Sequence, residues 1–393
     1  MMNEKAHQLR SEIWESYRER ELKNEKRISE LEKKAITFGK ATMRHSLDII
    51  GKPDENGYPV VIALHGGGQG KTPDMNDSQW EHMKIYYKNS LKNGIYVAAR
   101  GVRDTWDTHA NPESFPIYDE LIENLILFHN ADPNRVYIMG FSAGGDGVYI
   151  ITPKMADRFA AANMSAGCPN RIKLENLRNM PFIIQAGEKD AAYRRNELIA
   201  EYDAYLDELQ QKYGGFVHEA YVHFDRPHNF RDEDDTFAPK SVMKNNQKWL
   251  TESDRTVKEV NTNAVALTGK YVRDPIPTKV VWNLRQRAKL REQEYFYWLK
   301  APTEERAGYI VAEYDKATNS IIIHHAGTDT FSVMVNEEML DLDREINVVI
   351  NDKTIELVSA PENKVDENVI RQTTEARGDK NYQFCCEYKF ARK

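Results

Sequence analysis

The chain contains only three cysteines among its 393 residues, Cys168, Cys385 and Cys386. Two of them are adjacent, and because neighbouring side chains of a strand point to opposite faces, no disulfide framework is expected. The chain also lacks an apolar run of membrane-spanning length and an apolar segment near its amino terminus. We therefore expect buried or half-buried thiols, a reducing compartment and a cytoplasmic location.

A strong excess of charge of one sign is absent as well. The formal net charge is −7 and is spread along the chain, so we expect neither a nucleic-acid partner nor a membrane partner. No group of histidine, cysteine and carboxylate residues has metal-ligand spacing, so neither a catalytic metal nor a cofactor is expected. With 40% hydrophobic and 29% charged residues, the composition is typical of a globular protein of about two or three domains.

The distribution of apolar residues divides the chain into three regions. Residues 1–39 are rich in Glu, Lys and Arg with helically spaced apolar positions, which predicts a helical arm packed on the main domain, or alternatively an oligomer contact. Residues 40–260 alternate between continuous apolar segments and helical ones, which is typical of a mostly parallel sheet with helices on both faces. The predicted strands are 41–50, 58–64, 95–99, 136–139, 160–164, 181–186 and 219–224, and the predicted helices are 80–93, 117–129, about 194–213 and about 240–250.

Residues 261–393 show a different pattern, in which short apolar segments alternate with turn residues. Segments of this length and spacing predict a small antiparallel sandwich or barrel. The fold class is therefore α/β, with an N-terminal helical arm and a small C-terminal β domain. The predicted strands of that domain are 279–282, 294–299, 309–313, 320–324, 330–334, 346–350, 354–358 and 382–388.

One predicted strand leads directly into a serine flanked by glycines, in Gly140-Phe141-Ser142-Ala143-Gly144. The pattern G-x-S-x-G is typical of a sharp strand-to-helix turn that holds a nucleophilic hydroxyl clear of a sheet. Glycines suit this turn because it forces backbones together and strains the central residue. Ser142 is therefore the candidate nucleophile.

An acid and a histidine follow the serine in the order that such a site requires. A serine hydroxyl is nearly un-ionised at neutral pH, so it needs a base and an orienting acid. Asp190 and His228 each lie just beyond a predicted strand, at the carboxyl edge where parallel sheets place their sites. Glu188 and Asp225 are alternative acids, and a surface-loop histidine is the alternative for His228. Asp146, one turn after the serine, is interpreted as a buried acid that holds a loop.

A glycine run, His65-Gly66-Gly67-Gly68, follows another apolar strand at the position of an oxyanion-hole donor. The predicted donors are the amides of Gly67, Gly68 and Ala143, because glycines let backbone amides approach a developing oxyanion to about 3 Å. A phosphate-binding loop is excluded because Gly70-Lys71-Thr72 lacks the required glycine spacing. We expect His65 to be a structural loop residue.

Residues 100–109, after the third core strand, carry further candidates. Trp106 is predicted to form a pocket wall, and Arg103, Asp107 or His109 to contact substrate. The alternative is that Arg103 forms an ion pair with Asp104 or Asp107 that stabilises the loop.

With these residues in place, the chain resembles the α/β-hydrolase superfamily. More narrowly, it is similar to predicted phospholipase/carboxylesterase and polyhydroxybutyrate-depolymerase-like serine esterases. The resemblance implies that Ser142 is the nucleophile, Asp190 the acid and His228 the base. One departure is that Pro227 and Asn229 flank the histidine, where many relatives have glycine. The segments that carry the resemblance are 58–68, 100–106, 132–145 and 186–190, within residues 40 to 250.

These observations predict a serine hydrolase that cleaves carboxylic esters through an acyl-enzyme intermediate. Short-chain esters are favoured because no long apolar lid insertion separates the strands. A second hypothesis is peptide hydrolysis, with the extra domain gating the serine. A third treats the hydrolase as an inert scaffold and the β domain as a carbohydrate- or protein-binding module. The substrate is a small-molecule ester under the first hypothesis, and the acyl group, the alcohol and the oligomeric state stay open.

Overall fold

The computed structural model describes residues 1–68, 73–233, 238–242, 257–287, 293–305 and 307–393. Contacts divide the chain into two compact units: residues 29–273 form one, and residues 1–28 together with 274–393 form the other. The helices are α1 (Met2–Glu21), α2 (Glu25–Lys33), α3 (Pro73–Tyr86), α4 (Ser114–His129), α5 (Ala143–Met155), α6 (Arg195–Tyr213), α7 (Ala264–Thr268) and α8 (Glu367–Arg377).

The larger unit, residues 29–273, is built on one sheet. Its strands are β1 (Ala35–Phe38), β2 (Ala41–Ile50), β3 (Tyr58–Leu64), β4 (Gly94–Ala99), β5 (Ala131–Phe141), β6 (Ala161–Ser165), β7 (Phe182–Gly187), β8 (His218–His223), β9 (Ala238–Val242) and β10 (Val257–Val260). They lie in the order β1-β2-β4-β3-β5-β6-β7-β8-β9-β10. From β4 to β8 in this order every pairing is parallel, whereas β1, β2, β9 and β10 pair antiparallel.

The apolar sequences of the central strands explain their position in the sheet. All of β4 and β6 is buried, as is β3 from Val60 to Leu64. Such strands need cover on both faces. Helices α3 and α5 pack against these strands, α4 packs against β5, and α6 packs against β7 and β8. The predicted fold class is confirmed, and the carboxyl ends of β5, β7 and β8 lie along one edge of the sheet.

One predicted helix of this unit is wrong at its start. The helix expected at about residues 240–250 begins where the structure has strand β9, which ends at Val242. The remainder, residues 243–250, lies outside the described residues.

The second unit contains two sheets. Their strands are β11 (Lys279–Asn283), β12 (Tyr295–Phe296), β13 (Leu299–Lys300), β14 (Tyr309–Asp315), β15 (Ser320–Ala326), β16 (Thr330–Val335), β17 (Asn347–Ile350), β18 (Ile355–Ser359) and β19 (Cys386–Arg392). One sheet has the order β11-β14-β15-β17 and the other the order β12-β13-β16-β19-β18. Every pairing is antiparallel except that of β15 with β17. The predicted strand 294–299 is instead a short hairpin, β12 and β13, with Tyr297 at positive φ.

Helix α1 belongs to this second unit, and the expectation of an arm on the α/β domain is corrected accordingly. The buried Arg10 guanidinium lies 2.6 Å from Glu337 and 2.7 Å from Glu338. The Gln383 amide donates to the Arg10 carbonyl at 3.0 Å. Because a buried guanidinium needs acceptors, these contacts fix the helix to residues more than 300 positions away in sequence.

Candidate active site

The serine lies in a strained turn between β5 and α5. Ser142 has φ 59° and ψ −119°, a conformation that side-chain-bearing residues rarely adopt. A Cβ on Gly140 would lie 2.4 Å from the Gly144 carbonyl oxygen, and one on Gly144 would lie 2.1 Å from the Leu64 carbonyl oxygen. Neither position therefore accepts a larger residue, which is the physical reason for the glycines of the G-x-S-x-G pattern. The backbone strain therefore lies at the residue whose side chain the site presents.

The structure brings Ser142, His228 and Asp190 together. His228 Nδ1 lies 2.6 Å from Asp190 Oδ2, and His228 Nε2 lies 3.0 Å from Ser142 Oγ. An ionised carboxylate only accepts hydrogen bonds, so Nδ1 carries the proton and Nε2 accepts from the serine hydroxyl. The Asp190 side chain is 1% exposed and His228 is 35% exposed, so the imidazole is reached by solvent while its acid is not.

The two alternative acids make other contacts. The Asp225 carboxylate pairs with the Lys189 ammonium, and the Asp225 amide donates to Glu188 Oε2 at 2.8 Å. Asp190 is therefore the carboxylate against the imidazole, as the sequence predicts.

Arg195, which no sequence pattern predicts as a site residue, lies beside this acid and this base. Its Nη1 is 3.4 Å from Asp190 Oδ1 and 3.4 Å from His228 Nδ1, and its side chain is only 7% exposed. Asp190 thus faces the imidazole with one oxygen and a guanidinium with the other. No local pattern marks this arginine, because its proximity to His228 depends on how α6 and the loop after β8 pack.

The two glycines of the upstream loop differ in what their amides contact. Gly67 and Gly68 both have positive φ, at 102° and 82°, which glycine alone adopts without strain. The Gly68 amide donates to Asn76 Oδ1 at 2.8 Å. Gly68 is therefore not available as an oxyanion donor, and that prediction is corrected. Ala143 is the first residue of α5, a position whose amide has no partner within its own helix.

Asn76, also missed from the sequence, is the buried side chain that holds this loop. Its Oδ1 accepts from the Gly68 amide, and its Nδ2 donates to Asp104 Oδ1 at 2.8 Å. Asp104 in turn lies 2.5 Å from Arg100 Nη2. The chain of contacts links α3, the glycine loop and the loop after β4, so the loop is held at Gly68, directly after Gly67.

His65 and His109 form a buried pair that supports the loops. The Gly101 amide donates to His65 Nε2 at 3.1 Å, so His65 carries its proton on Nδ1, which lies 2.6 Å from the Gly66 carbonyl oxygen. Burial lowers the pKa of His65 to about 4. His109 is 1% exposed and donates from Nε2 to the His65 carbonyl at 2.8 Å. We therefore assign His109 Nε2 to loop support, and not to the substrate contact that the sequence predicts.

The remaining predicted contacts, Arg103 and Trp106, have different surroundings. Arg103 Nη2 lies 2.6 Å from Glu113 Oε2, and Nη1 lies 3.8 Å from Asp107 Oδ2, which matches the ion-pair alternative. Arg103 lines neither of the two cavities described next. Trp106 is 50% exposed, and its ring contacts that of Tyr193 with centroids 6.0 Å apart.

Two cavities adjoin the serine turn. The small cavity has a volume of ≈ 200 Å³ and is lined by Trp106, Asp107, His109, Ala110, Ala143, Asp146, Gly147, Ile150, Cys168, Asn170, Tyr193 and Arg195. The large cavity has a volume of ≈ 590 Å³ and is lined by Gly66, Gly67, Met75, Gln79, His82, Met83, Tyr86, Phe141, Ser142, His228, Asn229, Phe230, Arg231 and Glu233. The serine and the histidine thus open into the large cavity, and Ala143 faces the small one.

Two buried carboxyls lie close to the site. Burial raises the pKa of Asp146 to about 6. The Cys168 amide, which donates to Asp146 Oδ1 at 2.5 Å, acts in the opposite direction and lowers this pKa. Burial likewise raises the pKa of Asp232 to about 6. Asp232 accepts hydrogen bonds from Tyr86 at 2.8 Å and Tyr87 at 2.9 Å, so it ties the segment after His228 to α3 and the residue that follows it.

Among the described residues, no group of three or more His, Cys, Asp or Glu side chains could hold a metal ion. In that part of the chain, no helix combines the length and apolar character needed to cross a bilayer.

The fold and the site together define the class of protein. The serine turn follows β5, the acid follows β7 and the histidine follows β8 of a mostly parallel sheet, which is the arrangement of the α/β-hydrolase fold. The structure therefore has an α/β-hydrolase fold.

Comparison with known proteins gives partial similarities. No protein-family profile matches the chain. Over 114 residues the chain is 27% identical to the bifunctional acetylxylan esterase/xylanase XynS20E of Neocallimastix patriciarum, and this match covers 28% of the chain and 16% of that enzyme. The chain thus spans a small part of the length of this curated relative.

Solved structures of esterases and peptidases are also similar. A thermostable esterase is 20% identical with a TM-score of 0.38, over 48% of this chain and 54% of that one. Est1E from Butyrivibrio proteoclasticus is 13% identical with a TM-score of 0.35, over 49% and 89%. An acylaminoacyl peptidase is 14% identical with a TM-score of 0.36, over 49% and 36%. Similarities of this size do not distinguish an esterase from a peptidase.

Proposed function

We propose that this chain is a serine hydrolase that cleaves carboxylic esters, with Ser142 as nucleophile, His228 as general base and Asp190 as orienting acid. The observation that carries the proposal is the pair of contacts at 2.6 Å and 3.0 Å that links the carboxylate, the imidazole and the strained serine. Hydrogen-bond reach between nucleophile and base, with a third group orienting the base, is the geometry that activates a hydroxyl.

The reaction would proceed in two halves. Ser142 Oγ attacks the carbonyl carbon while its proton passes to His228 Nε2, and the amides of Gly67 and Ala143 stabilise the oxyanion. The bond to the alcohol oxygen then breaks, and the alcohol leaves with the proton from Nε2. Water attacks the acyl carbonyl as His228 Nε2 takes its proton. The bond between the acyl carbon and Ser142 Oγ then breaks and Nε2 returns the proton to Oγ, which releases the acid and restores both side chains.

Buried Asp190 supports this assignment on electrostatic grounds. A carboxylate within 2.6 Å of Nδ1 holds the imidazole in the tautomer whose Nε2 can accept the serine proton. It also stabilises the imidazolium that forms during the attack, from a buried position that solvent does not reach.

Hydrolysis of p-nitrophenyl acetate by wild type, Ser142→Ala and Asp190→Asn tests the proposal. We expect turnover by wild type, with kcat lower by about 10⁴-fold or more in each variant. The matching p-nitroanilide, which has the same leaving-group ring on an amide, serves as the peptidase control. Wild type that cleaves only the anilide, or Ser142→Ala that keeps its esterase activity, would contradict the proposal.

A further inference from the structure

The two cavities differ in which reacting groups they contain. Ser142 and His228 line the large cavity and not the small cavity, whereas Ala143 lines the small cavity and not the large one. We infer that the small cavity takes the acyl group, that the large cavity takes the alcohol, and that the substrates are short acyl esters of a large, hydroxyl-rich alcohol such as a sugar. This inference rests on the proposed esterase function.

The position of the histidine decides which cavity takes the alcohol. The departing alcohol oxygen must come within about 3 Å of His228 Nε2 to receive its proton. The alcohol therefore extends into the cavity that His228 lines. The acyl chain extends from the carbonyl carbon in a different direction from the alcohol. The small cavity, which Ala143 and Gly147 line, therefore takes the acyl chain.

The volumes of the two cavities match a short acyl group in the small cavity and a bulky alcohol in the large cavity. A cavity of ≈ 200 Å³ holds the volume of on the order of seven water molecules, enough for a chain of a few carbons. Most of its wall area is apolar, with contributions from Trp106 and Tyr193, whose rings are in edge contact, and from Ile150 on α5. Asp107, Asp146 and Arg195 line it as well. The large cavity, at ≈ 590 Å³, lies in the range that encloses a complete small-molecule ligand.

The chemistry of the large cavity suits hydroxyl groups. Of its polar lining side chains, Gln79, His82 and Asn229 make no hydrogen bond to any described residue, and all three are exposed. These side chains offer both donors and acceptors, as a hydroxyl requires. The charged pair in the lining, Arg231 Nε with Glu233 Oε1 at 2.8 Å, balances itself. A neutral polyol therefore fits this lining better than an ionic alcohol does.

Two ester series measured on wild type test the inference. The first varies the acyl group, as p-nitrophenyl acetate, butyrate and octanoate. The second keeps the acetyl group and varies the alcohol, as ethyl acetate, glycerol triacetate and a monoacetylated disaccharide. We expect kcat/KM to fall by about tenfold or more from acetate to octanoate, and to rise by about tenfold or more from ethyl acetate to the acetylated disaccharide.

Two variants test the two cavities one at a time. Trp106→Ala opens the small cavity and is expected to raise the octanoate-to-acetate ratio of kcat/KM several-fold. His82→Trp narrows the large cavity and is expected to lower the disaccharide-to-ethyl ratio several-fold. Ile85→Trp, an exposed position on the same helix that lines neither cavity, is the matched control and should leave both ratios unchanged.

The outcomes distinguish this inference from the proposed function. Preference for octanoate, no preference for the sugar ester, or a shift of the alcohol ratio by Trp106→Ala would overturn the assignment of the cavities and leave the serine esterase intact. If wild type hydrolyses none of these esters, the proposed function is contradicted, and this inference is contradicted with it.

Discussion

The α/β unit and the β-rich unit bury polar groups in different ways. In the α/β unit, buried Asp146 and Arg195 line the small cavity, buried Asp190 lies against His228, and Ser142 has a strained backbone. In the β-rich unit, Arg10 is buried against its partner Glu337, and the largest buried side chains include Trp282 and Trp298. The first unit therefore concentrates buried charge near His228, and the second uses charge and aromatic rings to hold itself together.

The largest expected difference between the units concerns histidines. We expect His228→Gln to lower kcat/KM for p-nitrophenyl acetate by about 10⁴-fold, because a glutamine cannot take the serine proton. His324 in the β-rich unit, whose Nε2 lies 2.9 Å from Glu313 Oε2, is the control. His324→Gln should change kcat/KM by less than about twofold. Equal losses in the two variants would show that the chemistry is not confined to the α/β unit.

Substitution of a buried aromatic residue in the β-rich unit should lower stability and leave kcat unchanged. Trp298 is fully buried, and its Nε1 donates to the Pro277 carbonyl at 2.7 Å. We expect Trp298→Ala to lower the free energy of unfolding by about 3–5 kcal/mol. Urea unfolding measures that change, and kcat measured well below the transition midpoint should stay near the wild-type value. A fall of kcat without loss of stability would contradict the division between the units.

The loop that presents Gly67 tests positioning within the α/β unit. We expect Asn76→Ala to lower kcat by about ten- to a hundredfold with little change in KM, because it releases the Gly68 amide and relaxes the oxyanion loop. Asn176→Ala is the matched control: Asn176 is equally buried in this unit, and its Nδ2 donates to the Pro153 carbonyl at 2.8 Å. An equal fall of kcat in the control, or a change in KM alone, would contradict this role of Asn76.

Some features of the site can be predicted from the sequence and others, including the contacts of this loop, cannot. The strands and the order of Ser142, Asp190 and His228 follow from apolar periodicity and from the sharp-turn pattern, which are local signals. Asn76 and Arg195 have no such signal, because their roles arise only when α3 and α6 pack beside loops distant in sequence. The same holds for Gly68, whose amide would be free but for a side chain on α3.

The smallest expected effects concern pH. Burial raises the pKa of Asp146 to about 6 from 3.8, so the folded chain holds this proton more tightly than the unfolded chain does. The free energy of unfolding therefore falls as pH rises from about 4 to about 6, and Asp146→Asn should raise Tm at pH 7 but not at pH 4.

Asp352 of the β-rich unit should show the opposite dependence. Hydrogen bonds from Thr354, its strongest contacts, lower the pKa of Asp352 to about 2. Its contribution is present above about pH 4 and is lost as pH falls toward 2, so Asp352→Asn should lower Tm at pH 7 and have less effect near pH 2. Thermal melts of both variants from pH 2 to pH 8 measure the two trends. Parallel trends would contradict the contrast between the units.

Reaction with a fluorophosphonate tests the central claim most directly, because such a reagent phosphonylates a serine only when a neighbouring base activates it. Intact mass and peptide mapping of the treated protein are the measurement. We predict one adduct on wild type, located at Ser142, and no adduct on Ser142→Ala. An unlabelled wild type, or equal labelling of Ser142→Ala, would contradict the assignment of Ser142 as the nucleophile.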